Sequence, residues 1–189
     1  MSIFSKHTSR NQLPTDSGMT LIETMVAIVI LTVAIVAPMS LTIQSLSASY
    51  YARDQVAAFN LAQEAIESVR AIRDGNILRI AFNDPDASCS PTTLLCGIPI
   101  GTPFVIDTRN NAITPCSGEC PFLQTNGDLY GYELGWDDTL YRRTVNVSYV
   151  EGTQDEIRIE VAVTWDAGAT QLRTITIYEN LHRWVSDNI

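Results

Sequence analysis

Histidine is nearly absent: His7 and His182 are the only two in 189 residues. A three-histidine zinc site therefore cannot be built, and a histidine-based catalytic triad would have to use His182. Basic residues are scarce too, with 12 Lys and Arg against 21 acids and a formal net charge of −9. That balance argues against broad, sequence-independent binding to nucleic acid, because such affinity comes from neutralising phosphates. From Gly75 to Ile189 there are seven Arg and no Lys against 15 acids, so any DNA contact there would need a local arginine cluster. No G-x-S-x-G elbow, complete twelve-residue calcium loop or C-x2-C pair occurs. The most informative absence is local: from Thr24 through Ala52 there is no charged side chain at all.

What fills that gap is apolar. The run from Leu21 to Leu41 is long enough for an α-helix to cross about 30 Å of hydrocarbon. A helix apolar on every side needs lipid or a large protein interior, and residues 75–189 are too few to enclose it. The polar leader, Met1 to Gly18, carries Lys6 and Arg10 against Asp16, which places it in the cytoplasm and the remainder outside. A secretory signal peptide is the rival, and Ser47-Ala48-Ser49 imitates its cleavage site. Its apolar region, however, spans only about 7 to 15 residues. Glu23 also sits just inside the apolar segment, where an acid costs about 2.5 to 3.5 kcal/mol at a span's centre and less near its edge. Such a residue needs a partner or a purpose.

The order Ser17-Gly18-Met19-Thr20-Leu21-Ile22-Glu23, followed by Thr24 and an unbroken apolar run, resembles the type IV prepilin signal. In type IV pilins and type II secretion pseudopilins, prepilin peptidase cuts after the Gly and methylates the new amino terminus. The resemblance implies processing at Gly18 and Met19, N-methylation of Met19, and Glu23 as the fifth residue of the mature chain. Met19 departs from the commonest residue, Phe, but keeps a bulky apolar side chain. The resemblance also gives Glu23 a role in filament assembly: in such filaments the acid of one subunit meets the terminal amine of a neighbour. An α-amine, with a reference pKa of about 7.7 to 8, stays cationic when methylated, so two unsatisfied buried charges become one ion pair.

The helix is expected to continue beyond the span. Val56, Phe59, Ala62, Ile66, Val69 and Ile72 recur at spacings of three and four, the mark of an amphipathic helix. Asp74-Gly75-Asn76 supplies a stop with Gly75 at the left-handed cap. From Met19 to Asp74 that makes about 84 Å of helix, with Pro38 as a kink because it removes one hydrogen bond and clashes with the preceding turn. In the last third the period changes to two. Ile157, Ile159, Val161, Val163 and Trp165 share one face of a strand, with Leu140 to Val150 before it, where Arg143 interrupts the apolar face, and Leu172 to Leu181 after it. The expected fold is therefore α+β, a pilin-like lollipop whose long helix packs on an antiparallel sheet. The partition is a leader at 1–18, a transmembrane or filament-core helix at 19–45, its amphipathic half at 46–75, an irregular cysteine-containing region at 76–129 and an antiparallel meander at 130–189. The segments Leu61 to Glu67 and Val161 to Trp165 are similar to the minor pilins and minor pseudopilins.

All four cysteines fall in the irregular region, as Cys89-x6-Cys96 and Cys116-x3-Cys120. In an extracytoplasmic domain they read as two disulfides, with three connectivities open and the two local loops favoured. A four-cysteine zinc site is the alternative, against the spacing. Other chemistry is thin. Asp128, Asp137 and Asp138 are weak calcium candidates, His182 is expected to cap the last strand, and Asn146-Val147-Ser148 matches a glycosylation acceptor but falls inside an expected strand. No enzymatic activity and no cofactor are expected. The function expected is that of a structural subunit of a type IV pilus or pilus-like filament, a minor pilin first and a minor pseudopilin of a secretion or competence system second. A single-span, non-polymerising membrane-anchored binding domain is the remaining alternative. The implied partners are prepilin peptidase, other pilins or pseudopilins, the pilus assembly platform and, before assembly, the inner membrane.

Overall fold

The computed structural model describes residues 18–82, 97–153, 155–167 and 171–182. They fall into two compact units, Met1–Ala48 and Ser49–Ile189, and one helix, α1 (Leu21–Ala81), contributes to both. The fold is α+β. In the first unit the described residues are those that open α1, and their side chains lie in the open almost throughout. The second unit joins the rest of α1 to two antiparallel sheets.

The larger sheet is built from β1 (Phe104–Asp107), β2 (Ala112–Pro115), β6 (Tyr141–Tyr149), β7 (Glu156–Asp166) and β8 (Leu172–His182), in the order β2-β1-β6-β7-β8. The expected meander is present in register: Val145 opposes Val161, which in turn opposes Ile177. The alternation read from the sequence holds along β7, where Ile157, Ile159, Val161, Val163 and Trp165 are all buried. A smaller sheet joins β3 (Gln124–Thr125), β4 (Tyr130–Gly131) and β5 (Asp137–Asp138) in the order β4-β3-β5. The region expected to be irregular therefore contributes β1, β2 and β3, and β1 is buried at all four positions. A fully buried four-residue strand has no alternation to read, which is why the pattern concealed it.

Two features of α1 differ from expectation. The helix does not stop at Gly75 but runs to Ala81. Glycine inside a helix costs about 1 kcal/mol relative to alanine. The added turn buries Ile77, and burying such a side chain contributes about 1.5 to 3 kcal/mol, so burial wins. Arg79 in the last turn adds a favourable charge at the negative end of the helix dipole. The stripe facing the sheet is also rotated: Ala58, Leu61, Ala62, Ala65, Ile66 and Val69 are buried, whereas Val56 and Phe59 are exposed and Ile72 is only partly covered. Three alanines let the helix axis come close to the sheet, and the larger residues frame the contact.

Arg143 breaks the apolar face of β6 and is nonetheless completely buried. Its guanidinium donates to the carbonyl oxygens of Leu61 on α1 (3.0 Å) and Ile106 on β1 (2.7 Å) and lies 3.5 Å from the Glu64 carboxylate. One cation thus ties helix, inner strand and outer strand together. A second cation joins the two sheets. Arg109 pairs with Asp107 and Glu133, both at 2.6 Å, and lies over the Trp136 ring at 4.3 Å. Gly131 passes beneath it, where a Cβ would sit 2.6 Å from Nε of Arg109. Burial pushes the Asp107 carboxyl up, but the Arg109 guanidinium and the backbone N–H groups of Tyr132 and Arg109 outweigh it, so Asp107 titrates below its ordinary value.

Arg143→Ala is expected to destabilise the second unit by about 3 kcal/mol, since it removes charge-assisted hydrogen bonds and leaves a cavity. Glu64→Gln should cost less than about 1 kcal/mol, because that carboxylate is half exposed. Urea unfolding of the detergent-solubilised chain, followed by tryptophan fluorescence, separates the two. Equal losses would show that the ion pair, not the buried guanidinium, holds the contact.

Candidate functional site

The residues singled out by the sequence cluster at the start of α1. Gly18 and Met19 precede the helix in the open, Met19 with 65% of its surface exposed. Thr20 caps the helix: its carbonyl accepts from the N–H groups of Glu23 and Thr24, both at 3.1 Å, and its hydroxyl lies 3.4 Å from the Glu23 nitrogen. Threonine followed three residues later by glutamate is the composition of a capping box. Glu23 thereby falls in the first turn, where the helix dipole favours a negative charge. The cap is legible in the sequence at Thr20 and Glu23 as the Thr-x-x-Glu spacing, which coincides with the residues of the prepilin-like signal.

Beyond the cap, the helix is apolar on every side. Leu21, Ile22, Met25, Val26, Ile28, Val29, Ile30, Leu31, Val33, Ile35, Val36, Met39, Leu41, Ile43 and Leu46 are all exposed. By length and composition this helix can cross a membrane. Four of its hydroxyls are folded back on the helix itself: those of Thr24, Thr32, Ser40 and Thr42 donate to the carbonyls of Leu21, Val29, Val36 and Pro38. Satisfying polar groups within one segment is what an apolar solvent demands. Pro38 lies inside α1, which continues through it without interruption, so the proline does not end the helix.

The remaining candidates lie elsewhere. Cys116 and Cys120 form a disulfide with Cα atoms 5.1 Å apart, and Cys89 and Cys96 lie outside the described residues. Asp128, Asp137 and Asp138 belong to no group of three side chains able to hold a metal ion, among the described residues. Asp138 instead accepts a hydrogen bond from Gln124 (3.0 Å) across the smaller sheet. His182 ends β8 opposite Glu156, with its Nε2 3.5 Å from that carboxylate and its carbonyl accepting from Arg73 at 3.1 Å. Asn146 lies within β6, paired with Glu160 of β7, which is the strand position expected of it. Among the described residues, one depression is lined by Ser148, Tyr149, Val150, Glu151 and Arg158 and another runs from Pro103 and Gly118 to Arg142 and Leu172.

A family model described as the prokaryotic N-terminal methylation motif matches residues 14–37. The match covers the end of the leader, the Gly18-Met19 bond, the cap, Glu23 and the first half of the apolar stretch, and it identifies the segment as a type IV pilin signal. No curated protein and no solved structure matches the chain. The signal is therefore assigned, and the second unit stands on its own residues.

The disulfide closes a very short loop, and in the chain-entropy account a loop of that size contributes about 2 kcal/mol. Replacing Cys116 and Cys120 together by serine should lower the unfolding free energy by about that amount in a urea titration. An unchanged midpoint would mean that the stacking of Arg142 on Phe122 at 4.4 Å holds the loop unaided.

Proposed function

We propose that the chain is a structural subunit of a type IV pilus or pilus-like filament. The observation that carries this reading is the N-terminal methylation motif at residues 14–37, opening a helix that is apolar on all sides and uncovered. In this reading the prepilin sits in the inner membrane with its leader, bearing Lys6 and Arg10, in the cytoplasm. Prepilin peptidase cuts after Gly18 and N-methylates Met19. The assembly platform then draws the helix out of the lipid and into a bundle of similar helices, Pro38 serving as the point where it bends to fit. A minor pilin is the preferred assignment, on the likeness of the Leu61 to Glu67 and Val161 to Trp165 segments to that branch. A minor pseudopilin of a secretion or competence system comes second. The work of such a subunit is structural, and no residue is assigned a catalytic role.

Glu23 is the group whose environment changes most on assembly. In the membrane it lies in the first turn, favoured by the helix dipole and near headgroup level. In a bundle core it would be stranded unless a cation met it, and the methylated amine of a neighbouring Met19 is the cation available. Removing one member of a buried pair costs about 3 to 5 kcal/mol, most of it the penalty for the abandoned charge. The pair therefore sets register between subunits more than it adds stability.

The intact mass and amino-terminal fragments of the chain, taken from membranes and from sheared surface filaments, test the processing. The expected result is a chain beginning at N-methylated Met19. A start at Met1 in both fractions would mean an unprocessed membrane anchor, and a start near Tyr50 would mean ordinary secretion. For assembly, Glu23→Val should leave membrane insertion and cleavage intact while sharply reducing the amount in filaments. Normal filament incorporation of that variant would remove Glu23 from the assembly role.

A further inference from the structure

The charge-free stretch ends in a definite chemistry. Tyr50 and Tyr51 close it and Arg53 follows, a succession of aromatic and cationic side chains suited to the headgroup level of a bilayer. The larger sheet brings a second set of such residues to the same place. Trp165 at the end of β7 has its ring 6.5 Å from that of Tyr51, and the Arg173 guanidinium at the start of β8 lies over Tyr51 at 5.4 Å. Arg53 lies over Tyr50 at 5.5 Å and its side chain is 71% exposed. Beside Arg173, Leu172 leaves 73% of its surface exposed, and Leu140, next to the first residue of β6, is exposed as well.

These residues lie at one end of the sheet, since Tyr141 opposes Trp165 and Trp165 opposes Arg173. The other end meets α1 at Arg73, which donates to the carbonyl of His182. From Tyr51 to Arg73 the helix advances about 33 Å. The end with Trp165, Leu172 and Arg173 is therefore the one beside the point where the apolar stretch stops, and the β6–β7 turn is remote from it.

We propose that this end of the second unit is a phospholipid-contacting surface, with Tyr50, Tyr51 and Leu172 at the boundary of headgroups and acyl chains and Arg53 and Arg173 on headgroup phosphates. It rests on the reading that the preceding stretch spans a membrane, because that continuity fixes the occupant. Exposed leucine and tyrosine beside arginine suit an interface that is apolar below and anionic above. Asp54, which pairs with Arg53 at 3.2 Å, and Asp166 share this end, so the surface is not a simple basic patch. The aromatic and leucine side chains set its depth, and the two guanidinium groups choose phosphate. While it holds, the contact fixes the orientation of the head on the membrane before the chain leaves it.

The test uses the full chain in nanodiscs of phosphatidylcholine and phosphatidylglycerol doped with a headgroup-nitroxide lipid, read by paramagnetic broadening of its NMR signals. Signals of Leu172, Arg173 and Leu140 should broaden strongly while those of Glu151 and Gly152 stay sharp. Arg173→Gln should lower the contact equilibrium about fivefold, which is what one basic residue near an anionic surface is worth. Leu172→Ser should also reduce it, with the other chemical shifts unchanged. Broadening that neither variant reduces would show mere proximity imposed by the tether and overturn the contact. A shift at Leu172 that vanishes when each disc holds one chain would assign the surface to a second copy and overturn it as well. A chain that does not enter the discs would overturn both the spanning reading and this one, whereas entry without broadening overturns this one alone.

Discussion

An apolar helix that no other side chain covers, among the described residues, is the constraint on which the rest depends. Leu21 to Leu46 exposes large hydrophobic side chains all round, and at roughly 25 cal/mol for each Å² such a surface cannot stay in water. Lipid meets the demand at the cost of a single uncovered acid. A bundle of like helices meets it too, provided that acid finds a cation. The same sequence is thus compatible with two solvents, and on the proposed reading Glu23 would be the residue that tells them apart. The methylation motif overlies this stretch, so the processing signal and the physical problem occupy the same residues.

The second unit meets a different demand, that of holding the later part of a long helix firmly against a sheet. Alanines at 58, 62 and 65 bring the helix close to the sheet. Arg143 then spans the gap with bonds to carbonyls on both sides. An unpaired buried charge is costly, and one whose bonds run to two different elements resists their separation. Arg70 extends the grip at the outer edge, joining Glu67 on its own helix to Glu179 on β8. A force applied through the helix would therefore be passed to the sheet through several bonds at once.

How much of this was legible depended on whether a residue's role was local. The long apolar helix, the signal, the strand β7 and the meander all follow from short-range pattern, because an unbroken apolar run and a half-covered sheet each mark the sequence locally. The Cys116 to Cys120 pairing was one of the two local loops favoured among three connectivities, and its short loop does bring the Cα atoms to 5.1 Å. The place of Gly75 was not, since its cost as a helix residue is local while the burial of Ile77 that outweighs it comes from the sheet. Arg143 read as an interruption for the same reason: its acceptors belong to α1 and β1, far away in sequence. The pairing of Arg173 with Tyr51 joins residues whose separation no periodicity could bridge. Even the Thr20 cap, readable in principle, was hidden behind the stronger meaning of the motif that contains it.

The placement of Glu23 bears on why processing would precede assembly. With the leader attached, Met19 has an amide nitrogen, which carries no charge, and in the proposed orientation Lys6 and Arg10 would keep the leader on the side of the membrane where it was made. In that state Glu23 has no cation of the kind proposed for it, and a bundle of unprocessed chains would bury a row of unpaired carboxylates. Cleavage after Gly18 would remove the leader's charges and create an amine four residues from Glu23 in a single step. A neighbour displaced along the bundle axis could then offer its amine to that carboxylate. On the proposed reading the order of events would be enforced by electrostatics: the uncut chain would be a poor filament subunit because its acid would be alone, and cutting would supply the missing charge.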